Sequence, residues 1–136
     1  MKLNPYLSFD GDCEAAFKFY EKCLGGKIGD MMTYGNSPMA GEVPREWHSK
    51  ILHASLTVGN QDLMGSDCMP NYFEEPKGTS ISINVSDPQK AEQIFNALAE
   101  NGNITMPLQE TFWAARFGTL VDRFGTPWMI NCDPAA

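Results

Sequence analysis

The residues that first suggest chemistry are an acid, an indole and a base spaced three positions apart. Glu110, Trp113 and Arg116 lie in a segment rich in aromatic residues and glycine. A carboxylate pressed against an indole ring loses water, and such a group can work as a general acid or base. Trp113 could also be a stacking wall for a ligand. The simpler structural reading, which the spacing favours, pairs Glu110 with Arg116 in a salt bridge and leaves Trp113 as packing.

The cysteines offer little further chemistry. Cys13 and Cys23 lie on one predicted helix, about 15 Å apart along its axis, so they cannot form a disulfide with each other. Cys68 would need a neighbouring base to act as a nucleophile, and the sequence places none beside it. Together with Cys132 they are predicted to be free thiols. Asp67, just before Cys68, is interpreted as a turn former.

Polar and apolar side chains alternate in three segments that are predicted as strands. Tyr6 lies in the first segment, His53 and Ser55 lie in the second, and Asn84 lies in the third. Because side chains alternate across a strand, each segment has one apolar and one polar face. The polar faces are either the solvated side of an antiparallel sheet or the lining of a cup with room for a ligand. The apolar positions are Leu3, Pro5, Leu7 and Phe9, then Leu52, Ala54, Leu56 and Val58, then Ile81, Ile83 and Val85.

The elements that must position these residues occur twice along the chain. Segments 8–28 and 84–104 align without a gap, offset by 76 residues, and share the order strand end, helix, glycine and next strand. Asp12 and Asp87 are predicted to cap the two helices. Gly102 is predicted to end the second helix in the left-handed conformation.

The sequence therefore predicts an α+β protein of two β-α-β-β-β units, which form a curved mixed sheet (a cup) with the helices on its outer face. Residues 1–70 are predicted as the first unit and residues 79–136 as the second, within a single domain that spans residues 1–136. The segment Gly35–Ser49 has no counterpart in the second half. It is interpreted as a mobile loop that could cover the cup.

The charge and hydropathy of the chain exclude several kinds of partner. The 136 residues carry a formal net charge of −7, and the 10 Lys and Arg residues form no run. A groove that follows a phosphate backbone needs a basic surface, so no nucleic-acid partner is expected. The sequence has no signal-peptide pattern and no apolar stretch long enough to cross a membrane. We therefore expect a cytoplasmic protein without a membrane partner.

Several motifs occur in the order found in a known family. They are Pro5–Phe9, Phe19-Tyr20, Leu24-Gly25, Ser66–Pro70, Gln109–Phe117 and Asp122–Asn131. With these motifs the chain resembles the PhnB-like branch of the vicinal oxygen chelate superfamily, which includes glyoxalases, dioxygenases and bleomycin-resistance proteins. The resemblance implies the two-unit cup and a homodimer, formed side by side or by exchange of units. Similar sequences are sometimes labelled methyltransferases, but this one has no Gly-rich strand-to-helix turn followed by an acidic residue, as a nucleotide-like methyl donor would usually need.

Metal-using members of the superfamily carry His, Gln or Glu on the first and last strands of each unit. The corresponding positions here hold Asn4 or Pro5, Ser80, and either Met64 and Met129 or Ser66 and Asn131. None of these side chains is a normal ligand for a hard or borderline divalent ion. The only histidines, His48 and His53, lie at the end of the loop and in a middle strand. No metal and no cofactor are therefore expected.

The sequence thus predicts a small-molecule binding protein with a metal-free cup. Its ligand contacts are predicted to come from Tyr6, His53, Ser55, Asn84, Glu110, Trp113 and Arg116. The alternative is a metal-dependent enzyme of the same superfamily, either a glyoxalase or lyase or a dioxygenase, and a third reading is an interaction module. The sequence leaves open whether the protein is an enzyme and which ligand it binds.

Overall fold

The computed structural model describes residues 1–135 and contains two compact units, Met1–Glu74 and a second that begins at Glu75. The first unit consists of β1 Tyr6–Phe9, α1 Cys13–Leu24, β2 Lys27–Thr33, β3 Ile51–Val58 and β4 Gln61–Asp67. The second consists of β5 Ile81–Val85, α2 Pro88–Ala99, β6 Asn103–Gln109, β7 Arg116–Val121 and β8 Pro127–Cys132. The predicted α+β class and the repeated β-α-β-β-β order are confirmed. That both units belong to a single domain stays a prediction.

The first strand of each unit lies beside the last strand of that unit. The sheet orders are β1-β4-β3-β2 and β5-β8-β7-β6. β1 runs parallel to β4, with Tyr6 opposite Met64, and β5 runs parallel to β8, with Asn84 opposite Asn131. The other neighbouring strands are antiparallel. This order brings side chains from the first strand within reach of the middle strands.

Each sheet packs one face against the helix of its own unit. Phe17 and Tyr20 of α1 are fully buried, and a Cβ on Gly65 of β4 would lie only 2.9 Å from the Phe17 ring. In the second unit, a Cβ on Gly118 of β7 would lie 2.8 Å from the ring of Phe95. A glycine therefore seats an aromatic ring on each sheet, and burial of one large apolar side chain contributes about 1.5–3 kcal/mol. Within residues 1–135, no helix is long and apolar enough to cross a membrane.

The face of each sheet that points away from its helix is called the open face below. Gly65 and Gly118 lie on the helix side, so the residues that flank them in sequence lie on the open faces. Strand register extends the assignment to the neighbouring strands. The open face of the first unit carries Tyr6, Ser8, His53, Ser55, Met64 and Ser66, and that of the second carries Ser82, Asn84, Phe117, Thr119, Met129 and Asn131.

Two details of the first unit differ from the prediction. Leu3 is 93% exposed and β1 begins only at Tyr6, so the apolar face of this strand is reduced to Leu7 and Phe9. Asp12 stands at the N-cap position of α1, but its side chain makes no cap hydrogen bond. The prediction was wrong because it assigned the cap by sequence position, whereas Asp67 at the end of β4 takes that role.

The end of α2 also differs from the prediction. Asn101, with a φ of 60°, takes the left-handed conformation predicted for Gly102. Gly102 is needed for a different reason, since a Cβ at this position would lie 2.5 Å from the backbone oxygen of Val121. The start of the helix is as predicted, because the side chain of Asp87 accepts a hydrogen bond of 3.0 Å from the backbone N–H of Gln89.

The Gly35–Ser49 segment has local structure of its own. It contains two short 3-10 helices, Ala40–Glu42 and Arg45–Trp47. The backbone N–H of Gly35 donates to the oxygen of His48, and the His48 Nε2 atom lies 2.8 Å from the backbone oxygen of Ala40. These bonds tie the segment together at its base. A role as a mobile cover stays a prediction.

Candidate functional site

The open face of the first unit holds a pair of stacked polar rings. Tyr6 on β1 reaches across β4 to His53 on β3, with 3.1 Å between Tyr6 Oη and His53 Nδ1. The ring centroids are 5.8 Å apart and the planes differ by 29°. Tyr6 remains 50% exposed, so the pair lies at the surface of the sheet. One imidazole nitrogen is thus engaged by the phenol, and the second is available to another partner.

Ser55 lies on the same face, but its hydroxyl group already has a partner. Ser55 Oγ accepts a hydrogen bond of 2.9 Å from the backbone N–H of Asp30 and lies 3.4 Å from the Asp30 carboxylate. These contacts lie at the register shift between β2 and β3. The structure therefore brings Tyr6, His53 and Ser55 together, with Ser55 serving strand pairing as well.

The open face of the second unit contains a cluster of amides and a carboxylate. Asn131 Nδ2 donates to Asn84 Oδ1 at 3.2 Å and to Asp133 Oδ1 at 3.0 Å. Asn131 Oδ1 is buried and has no hydrogen-bond partner within the described residues. Buried polar atoms are rarely left without a partner, so this oxygen is an unusual feature of the cluster. Asn84, which the sequence predicted as a contact, belongs to this cluster.

An exposed aromatic cluster adjoins these amides. Trp113 forms T-shaped contacts with Phe112, with 4.7 Å between ring centroids, and with Phe117, with 5.3 Å. Phe112 is 96% exposed and Trp113 is 45% exposed. A turn holds the two rings in place, because Thr111 and Ala114 exchange hydrogen bonds across it. Phe117 is directly opposite Asn131 in the sheet, so the rings and the amides are neighbours.

The structure separates Arg116 from the rest of the predicted site. Arg116 shares the helix side of β7 with Gly118, and its Nε atom lies 3.3 Å from Glu92 of α2. The predicted salt bridge to Glu110 is therefore wrong; Glu110 is an exposed residue after β6. Spacing along an irregular segment does not determine the side of a strand on which a residue lies. Alternation along β7, counted from the buried residue Leu120, would have placed Arg116 correctly.

The donors on the open faces do not fit a divalent metal ion. The face of the first unit carries Met64 and Ser66, and that of the second carries Met129 and Asn131, whereas hard or borderline ions prefer carboxylates and imidazoles. Within residues 1–135, no group of three His, Cys, Asp or Glu side chains is arranged to hold a metal. His53 contacts Tyr6, and His48 contacts the backbone oxygen of Ala40.

Asp67 has a larger structural role than its sequence suggested. Its carboxylate is 1% exposed and accepts hydrogen bonds from the backbone N–H groups of Gly11, Cys13 and Ile51 at 2.8–3.0 Å. It thus caps α1 from the end of β4, and the interpretation as a simple turn former was wrong. No local motif links Asp67 to partners up to 56 residues away.

The Cys13 thiol beside this carboxylate is fully buried. Burial, and then the negative charge of Asp67, raise the pKa of Cys13 well above its ordinary value. A thiol attacks as the thiolate, so Cys13 is held in its unreactive form. All four cysteines are free thiols, as predicted.

Comparison with known proteins identifies the class. Residues 1–131 match the family model described as 3-demethylubiquinone-9 3-methyltransferase. The chain belongs to this family, whose PhnB-like members have the vicinal oxygen chelate fold of paired β-α-β-β-β units.

Individual relatives agree with this assignment. The chain is 35% identical over 139 residues to Protein YjdN of Escherichia coli (strain K12), a match that covers 96% of this chain and 95% of that protein. It is 49% identical to the crystal structure of protein PA1353 from Pseudomonas aeruginosa, with a TM-score of 0.90 and 98% of both chains covered. A PhnB protein from Bacillus cereus, 24% identical, superposes with a TM-score of 0.81 over 97% of this chain and 99% of that one, which shows the fold alone.

Proposed function

We propose that the protein binds a small organic molecule on the open faces of its sheets, without a metal ion. The observation that carries this proposal is the set of exposed side chains that contact each other instead of the core. Tyr6 contacts His53 in the first unit, and Trp113 contacts Phe117 in the second. Small-molecule sites typically combine aromatic walls with a few polar groups that fix orientation, and these faces have that composition.

The proposed contacts are a subset of those predicted from the sequence. Tyr6, His53, Asn84 and Trp113 carry groups that a ligand can reach from the open faces. The hydroxyl group of Ser55 is already bonded to Asp30, and Glu110 is an exposed residue after β6. Arg116 is left out of the proposed site because it pairs with Glu92 on the helix side.

We do not extend the methyl transfer in the family description to this chain. Nucleotide-like cofactors commonly bind where a first strand turns into a helix, because free backbone N–H groups there hold anionic or polar groups. In this protein the N–H groups of Gly11 and Cys13 at that turn already donate to Asp67. The turn therefore has its principal donors occupied.

We further propose that the protein is a homodimer in a reducing, cytoplasmic compartment. β6 lies at the edge of its sheet and exposes Ile104 and Met106, and an exposed strand edge can pair with a second copy. The four free thiols fit a reducing environment. Light scattering coupled to size exclusion tests the dimer, and a monomeric mass across the micromolar range would contradict it.

A thermal-shift measurement on chelator-treated protein tests the binding function. The protein is melted alone, with Zn²⁺, Ni²⁺, Co²⁺ and Mn²⁺, and with a panel of metabolites and antibiotics. A ligand at about 100 times its Kd adds roughly 2.7 kcal/mol to stability. For a chain of this size that raises Tm by about 10 °C. We expect such a rise with an organic compound and a flat response to the four metals.

Substitutions of Tyr6 and His53 test whether the rise in Tm comes from binding on the open face of the first unit. Tyr6→Phe removes the hydroxyl group that contacts His53, and His53→Ala removes the imidazole. His48→Gln is the matched control, because the imidazole of His48 contacts the backbone oxygen of Ala40 and not Tyr6. A saturable rise with one metal that disappears in His53→Ala would overturn the metal-free site and favour the metal-dependent alternative. A panel that yields no organic ligand would overturn the binding proposal.

A further inference from the structure

We infer that the open face of the second unit binds a planar aromatic molecule that carries an N–H donor or a positive charge. The inference rests on the proposed function and specifies the chemistry of its ligand. Three features of the second unit support it: an aromatic wall, an end rich in hydrogen-bond acceptors, and basic side chains that contact α2.

The aromatic wall is formed by Trp113 with Phe112 and Phe117. The three rings meet edge to face, with the Trp113 ring between the other two. Trp113 is 45% exposed, so part of the indole is open to solvent. An indole ring open to solvent offers a surface for a stacked planar ring, and its negative π face attracts positive charge.

The acceptor-rich end lies one strand away from this wall. Phe117 is directly opposite Asn131, whose two amide hydrogens are already donated to Asn84 and Asp133. The remaining polar atom of Asn131, its oxygen, is buried and has no partner within the described residues. The acceptor that a ligand can reach at this end is the carboxylate of Asp133, which is exposed and which can only accept. A ligand group that donates a hydrogen bond or carries a positive charge suits this end, whereas another acceptor does not.

Three of the four basic residues in the described part of the second unit either contact α2 or belong to it. Arg116 reaches Glu92 of α2, Arg123 reaches Glu100 at the end of α2, and Lys90 belongs to α2 itself. Lys77, the remaining basic residue of the described part of this unit, precedes β5. An anion such as a phosphonate needs Arg, Lys or free backbone N–H groups. The charge distribution therefore favours an uncharged or cationic ring over an anionic one.

Three probes that share the acridine ring test this inference on the full chain. At neutral pH, 9-aminoacridine is a cation, acridine is uncharged and acridine-9-carboxylate is an anion. Isothermal titration should rank the affinities in that order. Trp113→Ala should weaken binding of the cation by roughly 5- to 150-fold, because loss of a stacking ring costs about 1–3 kcal/mol. Trp113→Phe should retain most of the affinity.

One further variant tests the negative charge of Asp133, and another is a control for the tryptophan substitution. Asp133→Asn, at an exposed position, should reduce the preference for 9-aminoacridine over acridine and leave acridine itself bound as before. Trp47→Phe, in the other unit, is the matched tryptophan control and should change neither affinity. Far-ultraviolet circular dichroism checks that Trp113→Ala is folded.

Three results would overturn the ligand class. They are tighter binding of the carboxylate than of the amine, unchanged affinity in Trp113→Ala, and no binding of any acridine by a protein that responds to another compound of the thermal panel. In the last case the proposed binding function still stands. If the thermal panel gives no ligand at all, the proposed function itself fails.

Discussion

Removal of the Asp67 carboxylate should destabilise the first unit more than any other single change to a polar side chain of that unit. Three backbone N–H groups, those of Gly11, Cys13 and Ile51, donate to it at a site that is almost closed to water. In Asp67→Ala these donors lose their acceptor together. A hydrogen bond to a charged group contributes about 1.5–3 kcal/mol, and the bonds are not additive because water can enter the space left behind. We therefore expect a loss of roughly 3–5 kcal/mol.

Asp67→Asn separates the acceptor role from the charge. One amide oxygen can still accept from Gly11 and Cys13, but the amide nitrogen then faces the N–H of Ile51 and cannot accept from it. The expected loss is about 1–3 kcal/mol, between those of wild type and Asp67→Ala. Asp62→Asn is the matched control on the same strand, where the carboxylate accepts from the Thr57 hydroxyl at an exposed position. It should change stability by less than about 0.5 kcal/mol.

Urea unfolding followed by circular dichroism measures these differences as shifts of the midpoint at constant slope. A destabilisation of about 3 kcal/mol lowers Tm by roughly 10 °C in a chain of this size. If the free energy of unfolding of Asp67→Ala is within about 1 kcal/mol of the wild-type value, the carboxylate does not anchor α1. A larger effect in Asp62→Asn than in Asp67→Asn would contradict this role of the carboxylate as well.

Three further outcomes follow from the same structure. Cys13 should react with a thiol reagent far more slowly than Cys68 near neutral pH, because its raised pKa keeps the thiolate scarce and its side chain is buried; equal rates by mass spectrometry would refute this. Gly118→Ala should cost about 1–3 kcal/mol because the new methyl group meets an aromatic ring of α2, whereas Gly41→Ala, in open space, should be close to neutral in urea unfolding. Arg116→Gln should cost less than about 1 kcal/mol, since its ion pair is largely exposed, and a larger loss would show that the contact is stronger than a surface pair.

Local signals predicted the elements of the fold well. Both helices begin directly after Asp12 and Asp87, the residues predicted to cap them, because capping residues and apolar periodicity act over short distances. Leu3 shows the limit of such signals. The alternating pattern in the sequence extends to Leu3, but β1 has a partner strand only from Tyr6 onwards.

The candidate site depended on information that single segments do not contain. Alternation placed Tyr6 and His53 on polar faces, but their contact depends on β4 lying between β1 and β3, which is a property of strand order. The Asp67 cap depends on a partner more than fifty residues away. Arg116 was assigned to the site by its spacing from Glu110 and Trp113, although the alternation of side chains along β7 determines the face on which it lies. The contacts missed are those that form only when distant segments meet.

The two ways of capping the helices give the two units different folding behaviour. Asp87 caps α2 through a bond to Gln89, two residues along, whereas Asp67 caps α1 through a bond that closes a loop of 54 residues. Closing a long loop costs more chain entropy than closing a short one, so the cap of α2 can form before its sheet does. The cap of α1 must wait until β4 has docked. Each of the substitutions Asp87→Ala and Asp67→Ala lowers stability, and part of that loss appears as slower refolding. We expect this part to be the larger share of the loss in Asp87→Ala and a smaller share in Asp67→Ala. Stopped-flow kinetics that show the reverse would rule this out.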